Sequence, residues 1–299
     1  MCIRDRSWTD AVVRNENVRR AFVYSSPMAQ YVLDLPVRAC VDFVDLDSAK
    51  WGEYASRRAW PASALYEREA RRLLEYEIAV ASRAETVLFV TDEERRRLAD
   101  CAPDAAHRLT TLPNGVDSEY FSPARPFGSP FGPAEEAIVF TGAMDYWPNV
   151  DGAVWFAREV LPLICEKRPV RFYVVGMNPH RAVRALAGNP AVTVTGRVPD
   201  VRPYLSHASV VVAPLRVARG IQNKVLEAMA MAKPVVATAA CAGGLSARAG
   251  LEFDVAADAP GFASAVLAAL APARADSPPA QAAVATTGFA MAMASSTLF

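Results

Sequence analysis

The chain has 299 residues, 52% apolar and 21% charged, enough to bury a large core and to exclude global disorder. Its 32 Lys and Arg balance 32 Asp and Glu, so no net charge marks it as a general nucleic-acid binder. No apolar run reaches the roughly 20 residues of a membrane-spanning helix, and five scattered cysteines without a CxxC pair suit a reducing compartment rather than a disulfide framework or zinc site.

Met1-Cys-Ile-Arg-Asp-Arg6 leads into no periodic element, and the expectation is a first domain that lacks its opening strands. Residues 39–46, Ala-Cys-Val-Asp-Phe-Val-Asp-Leu, read as a strand between Pro36 and the polar pair Asp47-Ser48. A long helix is expected over 62–83, where Tyr66, Ala70, Leu73, Leu74, Ile78 and Ala81 recur at helical spacing. Thr86–Val90 reads as a buried strand, and Thr91 followed by Glu94 forms a capping box that opens the next helix. Leu109–Leu112 is another short strand, ended by the turn signal Pro113-Asn114-Gly115.

A stretch rich in Pro, Gly and Ser over 118–135 reads as a linker. The alternation then restarts, with strands expected near 137–141, 170–175, 191–195, 209–213 and 234–238. Helices are expected near 149–166, 179–187, 199–207, 221–232 and 259–270. Apolar strands separated by single helices imply α/β architecture with parallel sheets covered on both faces. The expected organisation is two doubly wound, Rossmann-like domains facing a cleft. The first spans 1–122, a linker 123–135 follows, and the second covers 136–271. Residues 272–299, drifting to Ala, Pro, Ser and Thr, read as a disordered or aberrant tail.

The stretch that carries chemistry is Pro214-Leu-Arg-Val-Ala-Arg-Gly-Ile-Gln-Asn-Lys-Val-Leu-Glu-Ala-Met229. It follows a buried strand and opens a helix, so free backbone N–H groups near Ile221 and the positive end of the helix dipole are offered to an anion. Gly220 permits close approach of a ligand to the backbone. Arg216, Arg219 and Lys224 can pair with phosphate. Glu227, three residues after Lys224, lies on the same helix face and can accept hydrogen bonds from both ribose hydroxyls. An arbitrary Lys–Glu pair at this spacing is a solvated surface pair; the preceding strand, glycine and arginines turn the reading toward a nucleotide diphosphate.

This stretch resembles the donor-binding motif of the family 4 glycosyltransferases with the GT-B fold, and among them the sugar transferases associated with exosortase-linked (PEP-CTERM) exopolysaccharide systems. Three other stretches share the resemblance: Leu112-Pro-Asn-Gly-Val-Asp117 with Phe121, Val139-Phe-Thr-Gly-Ala-Met-Asp-Tyr-Trp-Pro-Asn149, and Val194-Thr-Gly-Arg-Val-Pro-Asp200. Together they cover roughly 35–255, in matching order and spacing. The resemblance implies a retaining glycosyltransferase without an essential metal or other cofactor. Its donor would be a nucleoside-diphosphate sugar and its acceptor a saccharide or lipid-linked hydroxyl. Exopolysaccharide or glycolipid assembly would be its setting, in the cytoplasm, with peripheral association at the inner face of the bacterial membrane left open.

By that resemblance Glu227 is the second glutamate of a paired motif and binds the donor ribose, while the first glutamate is replaced by Arg219. Lys224 and Arg219 become candidates for stabilising the departing diphosphate. Gly142 matches the glycine after the first donor-domain strand, although the basic residues that often follow are missing from Ala143–Trp147. Arg197 matches a loop lining the base pocket, with a surface arginine as the alternative. In the first half, Asp45-Leu-Asp47 has the spacing of a metal-binding DxD triplet. A strand end facing the cleft, with Asp45 in acceptor contacts, fits its position better. His107, His180 and His207 offer no metal spacing. A nucleotide-sugar 2-epimerase and an inactive nucleotide-sugar-binding fragment are the rival readings.

Overall fold

Runs of β-branched and aromatic residues, separated by helices with one apolar face, build two parallel sheets. The computed structural model describes residues 2–56, 58–218, 220–243 and 253–271. The expected tail over 272–299 lies outside them, as does Arg219. The chain divides into two units, Met1–Pro113 and Asn114–Phe299.

The first unit opens with helix α1 (Cys2–Asn15), where the sequence reading placed no periodic element. The correction has a physical cause. Val13 is the sole buried side chain in the described part of this helix, so the apolar stripe that announces a helix is nearly absent. Strand β1 (Arg20–Tyr24) also escapes the pattern, because at the sheet edge it buries Val23 and exposes Phe22 and Tyr24. Then follow β2 (Arg38–Val44), α2 (Asp47–Ser56), α3 (Ala62–Arg83), β3 (Thr86–Phe89), α4 (Asp92–Cys101) and β4 (Leu109–Thr111). The four strands lie in the order β1-β2-β3-β4, all parallel. Phe43 and Phe89, both buried, meet edge to face with centroids 5.4 Å apart in the core. Helix α2, with Gly52 and few apolar residues, is held by packing: Trp51 stacks 5.2 Å from Tyr66 of α3.

The second unit contains β5 (Ala137–Thr141), α5 (Trp147–Trp155), a π turn over Phe156–Val160, α6 (Leu161–Cys165), β6 (Arg171–Val175), α7 (Arg181–Arg184) and β7 (Val192–Gly196). It continues through α8 (Arg202–His207), β8 (Val210–Ala213), α9 (Asn223–Ala230), β9 (Val235–Thr238), α10 (Ala239–Ala242), β10 (Asp254–Ala256) and α11 (Ala259–Ala269). The five strands expected here begin and end within a residue of the reading; the apolar runs of β5, β6, β8 and β9 are buried on both faces, while the edge strand β7 buries only Val192. Helix α9 starts at Asn223 rather than near Ile221. The helix expected over 149–166 is broken by the π turn, where widening relieves the clash of Pro162 with the carbonyl of Arg158. The short α10 and β10 have too few residues to show a period.

The six strands run parallel in the order β10-β9-β8-β5-β6-β7. Phe140, Phe156, Phe172 and Phe262 are fully buried in their core, each contributing about 1.5–3 kcal/mol relative to exposure. Residues 118–135 carry neither helix nor strand. Their aromatic side chains nonetheless lie on this unit: Phe131 sits 4.6 Å from the Tyr173 ring, and the Arg202 guanidinium covers Tyr120 at 3.7 Å.

Candidate functional site

The order of the six-stranded sheet reverses between β5 and β8: later strands step through β6 and β7 on one side and through β9 and β10 on the other. In an open parallel sheet, ligands bind beyond the carboxyl ends of the strands at such a reversal. Gly142 follows β5 and the segment from Pro214 to Lys224 follows β8, so the sequence motifs converge there.

Glycines make this edge close-packed. A Cβ on Gly176 would lie 1.7 Å from the Gly142 carbonyl oxygen, so the loops after β5 and β6 touch backbone to backbone. The Gly142 and Met144 N–H groups donate to the carbonyls of Val175 and Met177 at 3.1 and 2.9 Å. A Cβ on Gly142 itself would come 2.8 Å from Asn149 Nδ2 and 3.2 Å from Lys224 Nζ. A third glycine, Gly152 of α5, lets that helix approach Pro214, whose carbonyl oxygen would be 2.8 Å from an added Cβ.

The central group is the Lys224 ammonium, in the first turn of α9. It donates to Asn149 Oδ1 at 2.6 Å and stands 4.7 Å from the Phe140 ring centre. Among the described residues no carboxylate forms an ion pair with it. Burial pushes its pKa down to about 8, opposed by the nearby Cys241 thiol and the Glu227 carboxylate. Glu227 is pushed the other way, its carboxyl raised by burial and held back by Lys224. Both groups of this i, i+3 pair are therefore partly desolvated, and an anion at Lys224 would restore the charge that burial disfavours. The first turn of α9 adds backbone donors, because its N-cap residue Gln222 provides no side-chain cap.

The other expected site residues are placed as follows. Gly220 adopts φ of +60°, a conformation that favours glycine, and the Ile221 side chain is buried. Arg216 is 51% exposed and engaged with Asp151 of α5, its Nε donating to Oδ2 at 2.9 Å. Arg197, after Gly196 at the end of β7, is exposed. Asn114, from the turn signal, donates its Nδ2 to Asn223 Oδ1 at 3.1 Å. Asn149 is a site residue that sequence reasoning missed. A polar residue in the first turn of a helix reads as a cap or a surface group; here it is 5% exposed and also donates to the Ala143 carbonyl at 2.8 Å.

In the first unit, Asp45 lies in the loop joining β2 to α2, after Val44, a β-branched residue at φ of +65°. The Asp42 side chain accepts from the Val44 N–H at 2.9 Å. Glu94 accepts from Leu46 N–H at 2.8 Å, and Glu77 accepts from Ser48 N–H in the first turn of α2 at 3.2 Å. Glu77 is 0% exposed, and burial raises its pKa to about 7, opposed by its bonds to Ser48. Among the described residues no three His, Cys, Asp or Glu side chains are grouped to hold a metal ion, and no helix is long and apolar enough to cross a membrane.

Comparison with known proteins bears on the fold. Residues 135–271 match the family model of the group 1 glycosyl transferases. No curated protein matches the chain. Among solved structures, HepE of Anabaena, crystallised in complex with UDP, is 13% identical and superposes with a TM-score of 0.72 over 97% of this chain and 81% of its own. Sucrose-phosphate synthase of Thermosynechococcus elongatus is 18% identical, with a TM-score of 0.71 over 95% of this chain and 74% of its own. WaaG, a glycosyltransferase involved in lipopolysaccharide biosynthesis, is 15% identical, with a TM-score of 0.66 over 94% and 77%. At these identities the likeness is one of fold, and the fold is that of the GT-B glycosyltransferases.

Proposed function

We propose that the chain transfers a sugar from a nucleoside-diphosphate donor to a hydroxyl acceptor, with retention at the anomeric carbon and without a metal. The observation that carries this reading is the Lys224 ammonium beside Gly142 at the sheet reversal, hydrogen-bonded to a neutral amide and, among the described residues, paired with no carboxylate. Such a cation suits a diphosphate, and the group 1 glycosyl transferase match spans the same unit. HepE, similar in fold, is crystallised with UDP and with UDP and glucose.

In this reading Lys224 and the backbone at Gly142, Gly220 and Ile221 hold the diphosphate, with Arg219 and Arg216 as further cations. As the bond from the anomeric carbon to the phosphate oxygen breaks, negative charge grows on the departing diphosphate, and Lys224 stabilises it. Glu227 takes the ribose hydroxyls, Arg197 lines the base pocket, and Asp45 contacts the acceptor. The acceptor is a saccharide or lipid-linked intermediate of exopolysaccharide or glycolipid assembly, in the manner of the exosortase-linked transferases, at the cytoplasmic side of the membrane.

The test is incubation of the full chain with radiolabelled nucleotide sugars, with and without polysaccharide or lipid-linked acceptors. Labelled product is expected only with acceptor, and Lys224→Ala is expected to lower its formation by about 10²–10³-fold. Donor consumption without acceptor would favour an epimerase instead. Unchanged turnover in both Lys224→Ala and Glu227→Ala would overturn the site.

A further inference from the structure

A lysine is a flexible, strongly hydrated cation. Holding it in one place with a carboxylate would cancel much of the charge it offers to a phosphate. Here the partner is a neutral amide. Asn149 Oδ1 accepts from Lys224 Nζ at 2.6 Å, while its Nδ2 donates to the Ala143 carbonyl at 2.8 Å. The second bond fixes which end of the amide faces the lysine. The Asn149 backbone N–H is itself tied to the Tyr146 carbonyl at 2.9 Å, so the residue is anchored at both ends. Gly142 closes the arrangement from the other side, since a Cβ there would press on both Asn149 Nδ2 and Lys224 Nζ.

Resting on the donor reading above, we infer that Asn149 is a positioning residue that presents the Lys224 ammonium to the donor diphosphate without neutralising it. The loop after β5 has no basic side chain of its own over Ala143–Trp147. Asn149, which follows that loop, borrows a cation from α9, 75 residues away in sequence, and fixes it over Gly142.

A double-mutant cycle separates this role from a merely structural one. The full chain is titrated calorimetrically with UDP, GDP and ADP, and the tightest binder is carried through wild type, Asn149→Ala, Asn149→Asp, Lys224→Met and the Asn149→Ala/Lys224→Met double variant. Thermal melts check folding, and Asn149→Ser replaces Asn149→Ala should the latter not fold. Asn149→Ala is expected to weaken binding about ten-fold. Asn149→Asp weakens it further although an acceptor is kept, because the added charge neutralises the lysine. In the Lys224→Met background the Asn149 substitution adds nothing. Additive losses, or an Asn149→Asp variant that binds like wild type, would overturn the inference while leaving the donor reading intact. Absence of binding by wild type to any of the three would overturn both.

Discussion

The two units place ionisable groups at the carboxyl end of a sheet strand in opposite ways. In the first, the loop after β2 is surrounded by Glu77 and Glu94, and each accepts a backbone N–H from that loop or the helix it starts. In the second, Lys224 meets a side-chain amide and, among the described residues, no counter-ion. A buried acid that satisfies backbone donors stiffens the fold. A half-buried cation without a counter-ion is available to a ligand. Burial moves both groups toward neutrality, Glu77 up to about 7 and Lys224 down to about 8, so a perturbed pKa does not by itself tell the two roles apart. The partners do.

Substitutions should separate them. The largest effect is expected for Lys224→Ala: donor turnover falls by about 3–4 kcal/mol of transition-state stabilisation while the melting temperature stays near wild type. Next is Glu77→Ala, which leaves the Ser48 N–H unmatched and opens space beside α2. Chemical denaturation should show about 2–3 kcal/mol lost, with nucleotide affinity unchanged.

Glu77 also predicts a pH dependence with a definite sign. The folded carboxyl keeps its proton up to about pH 7 and the unfolded one only to about its ordinary 4.5, so the folded state binds more protons between these values. Stability therefore falls as pH rises from about 4.5 to about 7 and levels above, by about 2–4 kcal/mol in all. Glu77→Gln should flatten this slope in urea titrations across that range. Donor affinity has the opposite origin, because it needs the Lys224 proton. It should decline above about pH 8, and Lys224→Met should remove the decline.

Smaller changes sharpen the second unit. Glu227→Ala should weaken nucleotide diphosphate binding about ten-fold, as expected for loss of ribose hydrogen bonds, and should move the alkaline decline to lower pH, because the carboxylate helps hold the Lys224 proton. Arg216→Ala should cost less than about 1 kcal/mol of stability, since its pair with Asp151 is half exposed. Asp151→Asn should leave or improve donor affinity by freeing Arg216 for phosphate.

What the sequence made legible follows burial. β5 reads as a strand because all five of its residues are buried, and α3 because its inward face repeats at helical spacing from Tyr66 to Ala81. β1 and α1 bury one side chain each among their described residues and leave little pattern. Lys224, Gly142 and Glu227 stood out through motif and position, and the fold brings the first two within contact of one another. Asn149 and Glu77 did not, because their meaning lies in partners distant along the chain. Glu77 carried a signal that could have been used: it interrupts the inward stripe of α3 four residues from both Leu73 and Ala81, where a charge has no place unless something meets it. Asn149 ends the resembling stretch Val139–Asn149, but no spacing announces its burial or its bond to Lys224.

The seat of the diphosphate is tested most directly by determining the structure of the full chain with whichever of UDP, GDP or ADP binds tightest. A phosphate oxygen is expected about 3 Å from Lys224 Nζ, above Gly142, with the pentose at Glu227. A nucleotide seated elsewhere, with Lys224 still bonded to Asn149 and touching no phosphate, would contradict it.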